Sequence, residues 1–426
     1  MKKQLAIALF LLPSGLFAQE LAYPIVETGQ ANCYGMRGPM ACPQPGQPFY
    51  GQDANYTGKS FKYRDNGDGT VSDLVTGLMW EKGFHKVSWA DAPGDAAKAR
   101  TGGHSDWRVP SIKELYSLIN FNGSTGSGRP EVSGPPADAK PYLDIKIFAF
   151  EYPSQGRYID AQYVSSTAYL GIVMGRDRAF FGVNFADGRI KGYPQDGGRG
   201  NRQWYARYVR GNPAYGHNDF RDLGDGTIFD AATNLVWMKI DSGATSLRQK
   251  LATSQSRDGR LDWQEALNFC AALDYAGKKD WRLPNAKELQ GLVDYTQAPD
   301  ATGRAAISPL FSISEIKDDN NRRDWPYFWS STTHLDGRVM GEFAVYLAFG
   351  RAQGYIRPGG GPGGGPGRMG PGGMGNGTES MVLMDIHGAG AQRSSPKSGD
   401  ESRLPKGHGP QGDVLRIYNY ARCVRN

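Results

Sequence analysis

The sequence predicts an α+β protein built from two tandem copies of one domain, each a β-meander followed by two helices and a small antiparallel sheet. Three observations carry this. "DNGDGTVSDLVTGLMWEK" at 65–82 is echoed by "DLGDGTIFDAATNLVWMK" at 222–239, with ten of eighteen positions identical. The echo then continues in unchanged order, the mark of a tandem duplication. Trp89 answers Trp263, "DWRVPSIKELYSLIN" (106–120) answers "DWRLPNAKELQGLVD" (280–294), and "VSST" (164–167) answers "WSST" (329–332). "GRIKGY" (188–193) answers "GRAQGY" (350–355), and "RYVR" (207–210) answers "RCVR" (422–425). Finally, apolar residues in each copy fall on one face of two helical segments between the stretches that read as strands.

The chain opens with Lys2 and Lys3, an apolar run from Leu5 to Leu12, then Pro13, Gly15 and Ala18. This pattern predicts a secretory signal peptide over 1–18, cleaved near Ala18–Gln19. No cysteine follows Ala18, so a lipid anchor is not indicated. The product is expected to be exported, periplasmic or extracellular at the cell surface, where disulfides persist. No later stretch has the length of a membrane helix, so no transmembrane segment is expected. The formal charge of +6, less the two charges of Lys2 and Lys3, leaves +4. That excess permits an acidic partner without demanding one.

A leader (19–59) carries Cys33 and Cys42; copy one spans 60–211 and copy two 217–426. The meander is read from turn chemistry. Asp-Gly in "GDGT" favours a hairpin, and Gly77 in one copy is Asn234 in the other, the two residues that best tolerate a left-handed backbone. Asp65, Asp68 and Asp73 are therefore expected as turn and strand-end residues. A calcium loop would place oxygen ligands at positions one, three and five; counted from Asp65 these include Gly67 and Gly69, and Asn66 is replaced by Leu223 in the second copy.

The first helix of copy two has Asp262 as N-cap and Glu265 three residues on, with Trp263, Ala266, Leu267, Cys270 and Leu273 on one face and Gly277 as its stop. Pro93 and Gly94 shorten or break the helix of copy one. The second helices begin with Ser111 and Glu114, and with Asn285 and Glu288, again at capping-box spacing. Glu114 and Glu288 are thus expected to cap their own helices instead of serving as catalytic acids. The Trp and Arg of "WRVP" and "WRLP" read as scaffold. Short strands follow. In copy two a Gly/Pro-rich insertion (357–413) interrupts them, and its glycine-rich part is read as a surface loop.

Four cysteines allow three pairings. The duplication selects one. Cys270 aligns with Ala96 and Cys423 with Tyr208, so copy one lacks both together, and joint absence points to partners. That leaves Cys33 with Cys42.

The motifs "DNGDGTVSD", "TGLMW", "DWRLP", "KEL", "WSST" and "RCVR" resemble the Lcl C-terminal domain family, across both copies. The resemblance implies a C-type-lectin-like fold, in which a disulfide from first helix to last strand is characteristic. It also implies a ligand, since the family's namesake is a bacterial collagen-like adhesin whose C-terminal domain binds sulfated glycosaminoglycans. The fold's formylglycine-generating relatives need reactive cysteines, which here are assigned to disulfides.

No histidine recurs at equivalent positions, and no zinc-protease or nucleophile-elbow motif occurs. "TGKS" (57–60) lacks the glycine of a phosphate loop, Asp53 standing in its place. The expectation is a non-catalytic binder of anionic or sulfated glycans that uses no cofactor or metal. The alternative is a structural interaction domain of an envelope assembly, and an oxidase-like enzyme ranks third. Expected partners are anionic glycans or other envelope proteins, with homo-oligomers compatible and no nucleic acid. Candidate donors are Arg176, Arg178, Arg199, Arg202, Arg322 and Arg323, because guanidinium groups meet sulfates and carboxylates bidentately.

Overall fold

The computed structural model describes residues 21–127, 134–197, 202–248, 251, 258–336, 339–356, 381–408 and 411–426. Residues 1–18, read from the sequence as a signal peptide, and residues 357–380 of the glycine-rich stretch lie outside this range. The architecture is α+β and mostly β, with short helices.

Each copy opens on its meander. In copy one, Tyr63–Asp65, Thr70–Asp73 and Leu78–Glu81 form successive antiparallel strands, joined at the far edge by Val209–Gly211. Copy two repeats this with Phe220–Asp222, Thr227–Asp230, Leu235–Met238 and Val424–Arg425. Gly77 and Asn234 both turn the chain at positive φ, 71° and 63°. The aspartates hold turns: Asp65 accepts the Gly67 amide, Asp68 the Thr70 amide, and Asp73 those of Val75 and Thr76. Asp222, Asp225 and Asp230 do the same in copy two.

The helices follow. Ala92–Lys98 in copy one is shorter than Trp263–Ala271 in copy two, with Pro93 in its first turn. The longer helix ends at Ala271, ahead of Gly277. Ala276 and Gly277 instead sit at positive φ between the bridged Tyr275 and Lys278, a tight turn placed after the helix. In the second helices, Ile112–Ser117 and Ala286–Gly291, the expected boxes close: Glu114 accepts the Ser111 amide at 2.8 Å and Glu288 the Asn285 amide at 2.9 Å. Each glutamate also takes a two-pronged contact from the arginine of its "WR" motif, Arg108 or Arg282. The cap and the motif are one device.

The largest sheet has eight strands and runs through both copies. Copy one contributes His85–Val87, Trp204–Ala206, Gln162–Val173, Asp177–Asn184 and Arg189–Pro194 in that spatial order. Copy two contributes Gln392–Pro396, Phe343–Ala348 and Tyr327–His334. Here the structure departs from the repeat pattern. "GRAQGY" was paired with "GRIKGY", yet Gln353–Ile356 leaves the main sheet to form a ribbon with Val382–Asp385. The place beside Phe343–Ala348 goes to Gln392–Pro396, which lies within the stretch read as insertion and makes five register pairs there. Its other edge meets copy one at Gln392↔Ile190. Val382–Asp385 and Gln392–Pro396, within the stretch read as insertion, are therefore strands, because an edge strand left unpaired would bury unmet amides.

The hydrophobic core is also shared. One cluster contains Trp80, Leu115 and Ile119 of copy one together with Trp237, Leu289 and Val293 of copy two. Across it the second helices trade caps: Lys113 Nζ donates to the Gly291 carbonyl and Lys287 Nζ to the Ser117 carbonyl, both at 2.8 Å. Each lysine thus satisfies an orphan carbonyl at the other copy's helix end. The leader binds both copies as well, through Gln30, whose Nε2 donates to Phe121 and Thr333 carbonyls.

Two disulfides are formed, Cys33–Cys42 and Cys270–Cys423. In copy one the equivalent Tyr208 is buried and its hydroxyl donates to Asp95 at 2.7 Å, one residue from Ala96.

Candidate ligand-binding site

The candidate arginines separate into two regions. Arg176 and Arg178 are exposed on the turn and strand that follow Gln162–Val173, Arg176 lying 3.5 Å from Asp177. Arg202 is exposed, donates to Gln162 Oε1 at 3.0 Å and covers the Trp204 ring at 4.5 Å. Arg199 falls outside the described residues. In copy two, Arg322 pairs with Asp318 at 2.8 Å, while Arg323 pairs with Glu315 and covers Trp325 at 5.0 Å. Arg176, Arg202, Arg322 and Arg323 each have a carboxylate within salt-bridge range.

The hairpin that carries the copy-two pair borders a cavity, although neither Arg322 nor Arg323 lines it. Its first strand, Ile316–Lys317, which pairs with Arg323–Asp324, forms one wall of an opening of about 420 Å³. Its other walls come from Asp258 and Arg260, from Tyr327 at the start of its strand, and from Arg416 and Tyr418–Tyr420 near the chain end. Local structure explains the placement. Asn419 exchanges backbone hydrogen bonds with Leu261, and Tyr420 bridges in parallel to Phe328, so the final segment lies between the first helix's entry and the sheet. Three cationic side chains (Arg260, Lys317, Arg416) and two carboxylates (Asp258, Glu315) line the space.

Tyr327 is fixed at both ends of its hydroxyl, donating to the Arg351 carbonyl and accepting the Gln353 amide at 2.9 Å. Burial pushes its pKa above the ordinary tyrosine range, so it stays a neutral donor. Arg416 lies over its ring at 5.4 Å. Burial works against the guanidinium charge there, yet Tyr327, Asp319 and Glu401 hold its pKa above the ordinary arginine value. Arg260, Arg416 and the tyrosines were missed by sequence reasoning. They lie outside the motifs, and only the fold brings 258–260, 315–317, 326–327 and 416–420 together.

A second polar cluster lies between the copies. Lys191 reaches Asp187 at 3.1 Å, Arg189 reaches Asp336 at 2.5 Å, and His387 and Arg393 both meet Asp413. Burial and the nearby Arg189 depress His334 to about 3, so this imidazole is neutral. Its charges are matched three to three among Arg189, Lys191, Arg393, Asp187, Asp336 and Asp413. We read it as the seam that holds the shared sheet. Among the described residues, no group of three or more His, Cys, Asp or Glu side chains gathers as metal ligands, and no helix is long and apolar enough to cross a membrane.

The model of the Lcl C-terminal domain matches residues 69–210 and again 226–359. The chain belongs to the Lcl C-terminal domain family. The second Lcl C-terminal domain match ends before Gln392–Pro396, so the strand that joins the copies lies beyond it. No curated protein and no solved structure matches the chain.

Proposed function

We propose that this chain is an exported, non-catalytic binding protein of C-type-lectin-like domains that recognises anionic glycans, sulfated ones included. The observation that supports it is the copy-two cavity, where tyrosines and an excess of cationic side chains line one concave surface. Aromatic walls with a few fixed polar groups are what a ligand site requires, and guanidinium groups suit sulfate and carboxylate geometry. Retention of the full chain on immobilised heparin is the test. Elution should move to lower salt in the Arg260→Gln/Arg416→Gln double variant, because charge-driven binding is screened. Failure to bind heparin at low ionic strength overturns the reading. The exposed Leu170 and Ile172 favour a second reading, a docking module of an envelope assembly. Binding partners held equally in high salt would support it.

A further inference from the structure

The leader closes a different cavity, of about 260 Å³, against copy two. Leader residues 27–31, Asp53 and Tyr56 form one side; Arg282, Asn285 and Glu288, at the entry of the second helix, form the other. Three carboxylates (Glu27, Asp53, Glu288) and one guanidinium line the space, which is therefore anionic. Arg282 is committed within its own wall, making a two-pronged pair with Glu288 and lying over the Tyr56 ring at 5.4 Å. Lys287 is within electrostatic reach of Asp53 and Glu27, but its ammonium donates to the Ser117 carbonyl and does not line the space.

Asp53 is 7% exposed. Its Oδ2 accepts from the Thr28 hydroxyl at 2.7 Å and from the Thr332 hydroxyl at 2.5 Å, and these bonds pin the leader to copy two. Its Oδ1 has no hydrogen-bond partner among the described residues and is not sealed from solvent, so it opens into the cavity that Asp53 lines. Copy one shows that the fold does not need this carboxylate. Thr167, the counterpart of Thr332, accepts the Ile112 amide at 3.0 Å just as Thr332 accepts that of Ala286 at 2.9 Å, and no carboxylate meets it among the described residues. Burial raises the Asp53 pKa to about 6, so the free oxygen is charged at neutral pH. A buried, fixed and charged oxygen facing an open cavity points to a ligand that donates to it.

We propose that this cavity binds a primary ammonium group on a slender aliphatic stem, anchored by Asp53 Oδ1. The site is separate from the anionic-glycan reading above and does not depend on it. A guanidinium fork takes both oxygens of one carboxylate, and here Oδ2 is already held by two hydroxyls. An ammonium is a compact charge whose donors each need a single oxygen. A calcium ion would need at least six oxygen ligands, and no group of three or more His, Cys, Asp or Glu side chains gathers to hold a metal among the described residues. Glu27, which makes no salt bridge among the described residues, adds a second negative charge to the wall, and Ala54 and Tyr56 offer apolar surface to the stem.

The test is calorimetry on the full chain at neutral pH with two probes, the diamine cadaverine and a blocked Gly-Lys-Gly peptide. Pentanediol, the neutral twin of cadaverine, should not bind. Asp53→Asn keeps an oxygen for the two hydroxyls and replaces the charged Oδ1, and it should weaken amine binding about tenfold. Ala54→Trp fills the space without altering a polar group and should abolish binding, so the site is read by two independent variants. Binding of the blocked peptide assigns the ammonium to a partner protein's lysine; binding of cadaverine alone assigns it to free amines. Binding of pentanediol as tight as that of cadaverine, affinity unchanged in both variants, or no binding of either amine overturns the proposal and leaves water alone in the cavity.

Discussion

Arg282 and Glu288 show how much a single pair depends on its surroundings. The Arg282 side chain is 11% exposed and that of Glu288 9%, whereas Arg108, its counterpart, is 40% exposed. Removing one partner of a buried pair strands the other. Glu288→Gln should therefore destabilise the chain by about 3 kcal/mol, and Glu114→Gln by less, read from urea midpoints; equal losses would refute the burial argument. Lys287 carries a pH signature. Burial lowers it from 10.5 to about 7. Between those values the unfolded chain holds a proton that the folded chain has released, so raising the pH favours folding. Its contribution grows from pH 7 upward by about 1.4 kcal/mol per pH unit, and Lys287→Met should remove that slope in urea titrations between pH 7 and 9.

Among the elements, the first helix and last strand of each copy meet the same requirement by different means. Copy two ties them with Cys270–Cys423, separated by 153 residues. The chain-entropy model assigns closure of so long a loop about 5 kcal/mol. Copy one uses the Tyr208 ring and its bond to Asp95. Serine at both Cys270 and Cys423 should lower the melting temperature strongly, while Tyr208→Phe should cost about 1 kcal/mol or less. Peptide mapping without reductant checks the premise: a Cys33 peptide linked to Cys270 or Cys423 would contradict it.

At the scale of the whole molecule, the repeats behave as a covalent pair of protomers. The second helices cap one another through Lys113 and Lys287, as matched surfaces do across a two-fold interface. The core cluster and the eight-stranded sheet both cross the boundary. Unfolding should accordingly be one cooperative transition, with calorimetric and van't Hoff enthalpies in agreement. Two resolved transitions would show that the copies are energetically independent after all.

What is local or repeated could be read from the chain alone. Turn positions at Gly77 and Asn234, the capping boxes at Glu114 and Glu288, the duplication and the joint absence of two cysteines all rest on neighbours within a few residues or on one copy read against the other. Tertiary structure decided the rest. Nothing in "GRAQGY" signals that its strand yields the sheet to Gln392–Pro396, since strand pairing is a competition between distant segments. The candidate site was not legible: Arg322 and Arg323 were named as charges, but they pair with Asp318 and Glu315 and the cavity beside their hairpin is lined by other residues. Arg260, Tyr327 and Arg416, which do line it, carry no local signal at all. They become neighbours only when Asn419 bridges Leu261 and the final segment closes on the sheet, because a cavity exists only once distant segments have packed around it.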